Sequence, residues 1–204
     1  MKRDNKIKVC RILAVVFLCF WTISGVRVLA QNATSILDKA ASAYEDSNGL
    51  TAYFTMQTRS DVQKVSESFD GTVDIKGDKF VLKTPDMITW FDGTTQWSFV
   101  ERNEEVNVST PTGEELQATN PALLLRSYEK GFTAKYKGES TAPSGKAAHD
   151  IELVPKKKSD IVRVELQIEK FSGFPASIAV FSKNGISSTI RISKMKTGVN
   201  QPDS

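Results

Sequence analysis

Cysteine and histidine are nearly absent from this sequence of 204 residues. Its two cysteines, Cys10 and Cys19, lie close to the N-terminus, and its one histidine is His149. Beyond residue 30 there is no cysteine, which excludes a disulfide, a cysteine nucleophile and a metal site built from Cys and His. A lone histidine in a strand is most often structural, so we expect no catalytic role for His149. The sequence also contains no G-x-S-x-G, H-E-x-x-H or phosphate-binding glycine motif.

Long apolar runs are lacking apart from one near the N-terminus. Residues 1–11 are basic, and residues 12–23 form an apolar run shorter than the ~20 residues that a bilayer span requires. The sequence Val28-Leu29-Ala30 then offers the small residues that a signal peptidase recognises. We predict that residues 1–30 are a secretory signal peptide cleaved after Ala30; the alternative is a membrane anchor.

Without residues 1–30, the sequence also lacks a marked excess of positive or negative charge. The whole sequence has a net charge of +3 and a pI of about 8.8, but residues 1–30 hold six basic residues and one acidic residue. The rest carries 21 basic and 23 acidic residues, a net charge of −2. We therefore expect no nucleic-acid partner. Without disulfides, residues 31–204 must be stabilised by their core, and their length fits one domain.

Alternation of apolar and polar residues dominates what is present. Between Ser66 and Val108, bulky side chains recur at every second position in about five short runs, separated by turn residues. Residues 50–59 and several runs after residue 131 show the same period. We predict a mainly β (α+β) fold, with about ten antiparallel strands in an unclosed, strongly curved half-barrel or barrel covered by two or three short helices.

Two segments have a helical pattern. In residues 32–48, Ile36 and Leu37 belong to an apolar face with a period of 3.6, and Asn48-Gly49 provides a C-terminal end. In residues 120–128, Asn120-Pro121 suits the N-terminus of a short helix with a broad apolar surface. Two interpretations of this second helix remain open: it fills the core, or it is a movable cover over an apolar pocket.

Charged residues give two weaker signals. The pairs Glu104-Glu105 and Glu114-Glu115 provide the carboxylates that a glycosidase uses, although adjacent strand residues point to opposite faces and solvated charge explains them more simply. Lys156-Lys157-Lys158 lies between two predicted strands. Such a run at a hairpin tip is usually solubilising, but it also suits anionic headgroups or an acidic partner.

Apolar residues in excess of what two helices can cover suggest an incompletely filled interior. A cavity of that kind binds acyl chains, because burial contributes about 0.8 kcal/mol per CH₂. Composition alone does not separate an ordinary filled core from such a cavity.

Three motifs resemble the periplasmic outer-membrane lipoprotein carrier family, LolA. They are Phe69-Asp-Gly-Thr-Val-Asp-Ile75, the D-G-x-x-x-W-x-[YF] hairpin at 92–99, and Asn120-Pro121 followed by Leu123 to Leu125. The order of predicted elements also matches, so the resemblance covers nearly all of residues 31–204, which we expect to form a single domain of this family.

The resemblance implies a carrier without enzyme activity or cofactor. Such a carrier is a periplasmic monomer that shields the acyl chains of triacylated lipoproteins, or of other acylated lipids. It receives them from an inner-membrane ABC-type lipoprotein-release complex and passes them to an outer-membrane acceptor. No metal site is implied.

The resemblance also implies two sets of site residues. The expected cavity residues are Phe54, Met56, Phe69, Val73, Phe80, Leu82, Ile88, Trp90, Trp97 and Phe99. The expected lid residues are Ile36, Leu37, Leu123, Leu124 and Leu125.

One departure concerns the lid. Proteobacterial carriers have an Arg-Pro pair whose arginine latches the lid, whereas the aligned pair here is Gly77-Asp78, preceded by Lys76. A lysine lacks the planar fork that binds several carbonyls at once.

Two other functions stay open at this point. One is a lipid-sensing or envelope-signalling domain of the same fold that binds without transporting. The other is a hydrolase built around the acidic pairs.

Overall fold

The computed structural model describes residues 24–111, 125 and 128–199, with the side chains of the first helix described from residue 33 onward. One helix, α1 (Ser24–Glu45), precedes eleven strands that form a single antiparallel sheet. The strands are β1 (Leu50–Ser60), β2 (Val65–Lys76), β3 (Lys79–Lys83), β4 (Met87–Phe91), β5 (Gln96–Val100), β6 (Glu105–Ser109), β7 (Phe132–Thr141), β8 (Ala147–Pro155), β9 (Ile161–Glu169), β10 (Pro175–Ser182) and β11 (Ile186–Thr197). Leu125 and residues 128–131 are also helical.

The sheet consists of two meanders joined at its centre. Its strand order is β6-β5-β4-β3-β2-β1-β11-β10-β9-β8-β7. The first and last strands therefore pair with each other, while β6 and β7, neighbours in the chain, form the two free edges. The sheet is curled but unclosed, which confirms the predicted half-barrel. The five predicted strands between Ser66 and Val108 correspond to β2–β6.

Helix α1 lies on one face of this sheet, here called the inner face. The helix residues that contact the sheet recur at helical spacing and are buried. They are Ala33, Leu37, Ala40 and Tyr44.

The two ends of α1 differ in how well the sequence predicts them. After Glu45, Ser47 Oγ donates to the Tyr44 carbonyl at 2.7 Å, and Asn48 and Gly49 adopt positive φ angles of 52° and 100°. The predicted C-terminal end is therefore confirmed. The helix begins at Ser24, before the predicted start at Asn32, because residues 26–33 contain no Gly or Pro to stop it.

Two clusters of buried side chains form between α1 and the inner face. The larger lies under α1 on strands β7–β10, here called the sealed half of the sheet. Its members are Ala33, Leu37, Ala40, Leu125, Tyr128, Phe132, Ala134, Ile151, Leu153, Val164, Leu166, Ile168 and Ile178. The smaller forms where Tyr44 meets strands β1–β4, and includes Leu50, Ala52, Ile75, Phe80 and Phe91. Strands β11 and β1–β6 are here called the open half.

The turn between β4 and β5 fixes how these two strands pair. The Asp92 carboxylate accepts hydrogen bonds from the backbone N–H groups of Thr94 and Thr95, each at 2.8 Å. These bonds lower the pKa of Asp92. Gly93 follows with a φ of 104°, which glycine adopts without strain. The predicted Asp-Gly turn is thus confirmed, and it sets the register of the aromatic residues on either side.

Candidate functional site

The pairing of strands shows which residues share the inner face of the open half. Directly opposed residues in an antiparallel pair point to the same side of the sheet. Met56 pairs with Phe69, Val73 pairs with Leu82, and Ile75 pairs with Phe80. Phe54 lies two residues from Met56 on the same side. Six predicted cavity residues therefore share the inner face: Phe54, Met56, Phe69, Val73, Phe80 and Leu82.

These six residues are not equally covered. Phe80 is buried in the smaller cluster, its ring centroid 5.4 Å from that of Phe91. Val73 and Leu82 are half-buried at the margin of this cluster. Met56 and Phe69 are half-buried as well, and they belong to none of the three clusters that the described residues form. An apolar strip thus continues along the inner face beyond the part that α1 covers.

Phe54 has a specific relation to Gly71, the residue paired with it on β2. A Cβ atom on residue 71 would lie 2.5 Å from Phe54 Cζ and 2.8 Å from the backbone oxygen of Lys83. Glycine is needed here because the phenyl ring lies directly over its backbone. Phe54 is buried as a result, while its neighbour Met56 is not.

The other four predicted cavity residues lie on the opposite, outer face, which corrects the sequence-based assignment. Phe80 pairs with Phe91, so its neighbour Val81 pairs with Trp90 on the outer side. Trp90 in turn pairs with Trp97, and Ile88 pairs with Phe99. The sequence-based assignment took the face with the larger side chains as the inward one. This criterion fails on β4, because both sides of that strand carry bulky apolar residues. The four misassigned residues are Ile88, Trp90, Trp97 and Phe99.

On the outer face these residues form a partly exposed apolar strip. Trp97 pairs with Val108, and Phe99 pairs with Val106. Trp90 is 39% exposed, and both valines are more exposed still. A residue in this strip is therefore a suitable control for the inner face, since it has the same chemistry on the other side of the sheet.

Sequence reasoning missed three inner-face residues. Phe91 is buried on the inner face of β4, where Ile88 and Trp90 had been assigned. On β11, Ile190 pairs with Met56 and Ile192 pairs with Phe54. The signal for the two isoleucines was present, because their alternation predicted the strand. What the sequence lacked was the pairing of the last strand with the first.

The predicted lid residues that the structure describes belong to the sealed half. Leu37 and Leu125 are buried in the larger cluster, and Ile36 packs against it. Leu123 and Leu124 lie outside the described residues. Movement of these residues stays a prediction.

Lys76, the residue before the aligned latch position, lies near the C-terminal end of α1. It lines a crevice of about 340 Å³ together with Tyr44, Glu45 and Asn48. A cation at this end of a helix interacts favourably with the helix dipole.

Two grooves of the outer face differ in character from the inner strip. One, of about 500 Å³, is lined by polar and charged residues that include Asp150, Gln167 and Arg191. The other, of about 640 Å³, is lined by residues that include Asp70 and Lys194. Both grooves mix charged and apolar lining residues, whereas the inner strip carries no charged side chain.

The residues considered for catalysis have ordinary environments. Burial, followed by the charge of Lys170, lowers the pKa of His149, and its Nδ1 lies 3.3 Å from the hydroxyl of Tyr136. Glu104 is in the exposed β5–β6 turn, and Glu105 begins the edge strand β6. Glu114 and Glu115 lie outside the described residues. No group of three His, Cys, Asp or Glu side chains within the described ranges is placed to bind a metal.

Within the described residues, the curved sheet thus carries apolar side chains on its inner face outside the buried clusters, a surface suited to an apolar ligand. A family model described as "Outer membrane lipoprotein carrier protein LolA" matches residues 23–185. The chain belongs to this family, which confirms the resemblance found in the sequence. Membership of this family indicates a protein that binds lipids or lipoproteins in the periplasm.

Several solved structures have a similar fold. A conserved protein of Thermus thermophilus superposes with a TM-score of 0.58 at 15% identity, covering 84% of this chain and 90% of its own. The lipoprotein LppX of Mycobacterium tuberculosis gives a TM-score of 0.52 at 14% identity, covering 83% and 98%. The MucA/MucB complex of Pseudomonas aeruginosa gives a TM-score of 0.44 at 14% identity, covering 84% and 59%. At these identities the likeness of the first two structures concerns the fold alone.

No curated protein matches the sequence significantly. Within the part of the chain that the structure describes, no helix has the length and apolar character needed to cross a bilayer.

Proposed function

We propose that the protein is a periplasmic carrier that shields the acyl chains of lipoproteins, or of related acylated lipids, on the inner face of its open half. The observation that supports this site is the half-buried strip of Met56, Phe69 and Ile190, with Val73 and Leu82 beside it. All five face the side on which α1 packs; Val73 and Leu82 lie at the margin of the smaller cluster, and Met56, Phe69 and Ile190 lie beyond both clusters on that face. An acyl chain lying on them would be removed from water at about 0.8 kcal/mol per CH₂.

Family membership supports the finer parts of the proposal. The cargo would come from an inner-membrane ABC-type release complex and pass to an outer-membrane acceptor. The protein would act as a monomer after cleavage following Ala30, without a cofactor and without enzyme activity. Release needs no covalent step, because burial of an acyl chain is reversible.

A pair of matched substitutions tests the site. Phe69→Glu places a carboxylate on the inner strip, and Phe99→Glu places one on the outer strip; both phenylalanines are half-buried strand residues. Binding of a fluorescent triacylated peptide should be lost in Phe69→Glu, because a buried charge is costly, and should be retained in Phe99→Glu. Equal uptake by both variants would refute the inner-face site.

A second experiment separates carriage from sensing. The full chain is expressed in a Gram-negative bacterium, and the purified protein is examined by native mass spectrometry for a co-purifying acylated species. The loaded protein is then mixed with acceptor vesicles. A carrier releases its cargo to them, whereas a sensing domain retains the cargo and requires a protein partner. The intact mass also shows whether residues 1–30 have been removed.

A further inference from the structure

Three loops that are far apart in the sequence meet at one end of the sheet. They are the β1–β2 turn (residues 61–64), the β8–β9 loop (residues 156–160) and the β10–β11 turn (residues 183–185). The backbone N–H of Asp61 donates to the Gly185 carbonyl at 2.9 Å, and that of Lys183 donates to the Asp160 carbonyl at 2.9 Å. These bonds hold the three loops side by side, and we call them together the loop end.

The loop end is basic although the chain beyond residue 30 is slightly acidic. Its three loops carry five lysines, all exposed, and two acidic residues. Asp61 is already paired with Arg59 at 3.0 Å. Within the described residues, no ion pair involves any of the five lysines, although the ammonium group of Lys156 donates to the Glu129 backbone carbonyl. These lysines are Lys64, Lys156, Lys157, Lys158 and Lys183.

Apolar side chains are exposed among these lysines. Val62 at the tip of the β1–β2 turn is 75% exposed. Val65 and Ile186, the first residues of β2 and β11, are 50% and 37% exposed, and both pair with Ser60. Three exposed β-branched residues at the tips of neighbouring hairpins are unfavourable in water and favourable at the boundary between headgroups and acyl chains.

The loop end also marks one end of the open half. Val65 and Ile186 lie on the inner face, in line with Phe69 on β2 and Ile190 on β11. One polar row, Thr58, Glu67 and Ser188, separates them from the apolar strip. An acyl chain leaving the strip along the strands would therefore emerge at this end.

We propose that the loop end docks on an anionic lipid surface. Its lysines contact acidic headgroups, while Val62, Val65 and Ile186 enter the layer beneath them. Docking would bring the end of the acyl-binding strip to a membrane. This purpose rests on the proposed function, whereas the docking surface itself does not. A lipid surface accounts for both features of the loop end, because it offers negative charge and an apolar layer over the same area.

The test is sedimentation of the purified protein with vesicles of phosphatidylglycerol and phosphatidylcholine, compared with phosphatidylcholine alone. The test variant is the triple change Lys157→Glu, Lys158→Glu and Lys183→Glu. The control variant carries the same change of charge on exposed lysines towards the other end of the sheet: Lys79→Glu, Lys194→Glu and Lys196→Glu. Thermal melting first shows that each variant is folded, and Val62→Asp provides a single change that tests the apolar contact independently.

We expect wild type to bind only the anionic vesicles, and to bind less as salt is raised. The loop-end variant should bind about 100-fold more weakly, since each lysine near an anionic surface contributes roughly five-fold in affinity, and the control should change far less. Val62→Asp should also weaken binding. If the wild-type protein does not bind the anionic vesicles, the proposal is overturned and an acidic protein becomes the favoured partner. Equal losses in the two triple variants, or none in the loop-end variant, would overturn it too.

This result and the proposed function can fail separately. Uptake of the triacylated peptide in solution should be the same for the loop-end variant as for wild type. Vesicle binding without uptake of the peptide would contradict the acyl site and support the docking surface. Uptake of the peptide without vesicle binding would contradict the docking surface and support the acyl site.

Discussion

The two halves of the sheet use the same kind of strand and yet differ in how deeply their apolar residues are buried. In the sealed half, Leu166 on β9 is 1% exposed, and its neighbours on the inner face are similarly covered. In the open half, Met56 and Phe69 face the same side and remain half-buried. Among the described helical side chains, Ala33, Leu37 and Ala40 of α1 pack on the sealed half together with Leu125 and Tyr128, whereas Tyr44 belongs to the cluster of the open half. Coverage by the helix therefore determines where the core stops and a binding surface can begin.

The largest change in stability should come from a substitution at the centre of the sealed half. Leu166→Ala removes a fully buried side chain, and we expect it to lower the free energy of unfolding by about 2–5 kcal/mol. Urea denaturation measures this loss. Binding of the acylated peptide should be retained under folding conditions, because Leu166 belongs to the core. If the free energy of unfolding fell by less than is expected for truncation of a half-buried side chain, the sealed half would not be a close-packed core.

The next effect tests a close contact within the open half, that between Phe54 and Gly71. Gly71→Ala would place a Cβ atom 2.5 Å from Phe54 Cζ and 2.8 Å from the Lys83 backbone oxygen. We expect a destabilisation of about 1–3 kcal/mol, measured by urea denaturation. Gly131→Ala is the matched control, since no atom of the described residues outside its own helix and chain neighbours lies within 4 Å of its added Cβ, and it should be neutral or slightly stabilising. Similar results for the two glycines would refute the close contact with Phe54.

An electrostatic effect of similar size should appear at the β9–β10 turn of the sealed half. Burial alone would raise the pKa of Glu169, but hydrogen bonds from Lys146, Ser144 and Ser172, each 3.0 Å long, lower it below its usual range. A carboxylate whose folded pKa is depressed stabilises the fold above its unfolded pKa, and this stability is lost as pH falls through the folded pKa. Glu169→Gln should thus cost about 1–3 kcal/mol near pH 7.

The pH dependence separates this effect from a general loss of packing. In chemical denaturation at a series of pH values, the difference between wild type and Glu169→Gln should shrink as pH falls below about 4.5, the ordinary glutamate pKa. Glu165→Gln is the control, because its carboxylate is exposed and, among the described residues, its ion pair is the surface contact with Arg163, so its effect should be smaller. A difference that stays constant with pH would contradict the assigned role of the Glu169 charge.

The smallest change in stability should come from the open half. Met56→Ala removes a half-buried side chain, so we expect a loss of about 1 kcal/mol or less. Affinity for the acylated peptide should nevertheless fall, because Met56 lies in the centre of the inner strip beside Phe69 and Ile190. Denaturation and peptide titration on the same preparation measure both quantities. A large stability loss with unchanged affinity would mean that the strip is core.

Much of the fold could be predicted from local patterns. The alternation in β1, the Asp92-Gly93 turn and the C-terminal end of α1 were all predicted correctly, because each depends on residues close together in the chain. The face of β4 could not be predicted in the same way. A period of two shows that Trp90 and Phe91 point to opposite sides, but not which side is inward.

The sequence by itself therefore determined the class of fold, the positions of most strands and turns, and the family to which the chain belongs. Those features follow from periodicity, turn chemistry and short motifs. The tertiary structure decided the rest: the pairing of Phe80 with Phe91 turned Trp90 and Trp97 outward, and the position of α1 left Met56 and Phe69 outside the buried clusters. It also brought lysines from three separate loops to one end of the sheet. Each of these depends on contacts between residues far apart in the chain, which a local pattern does not specify.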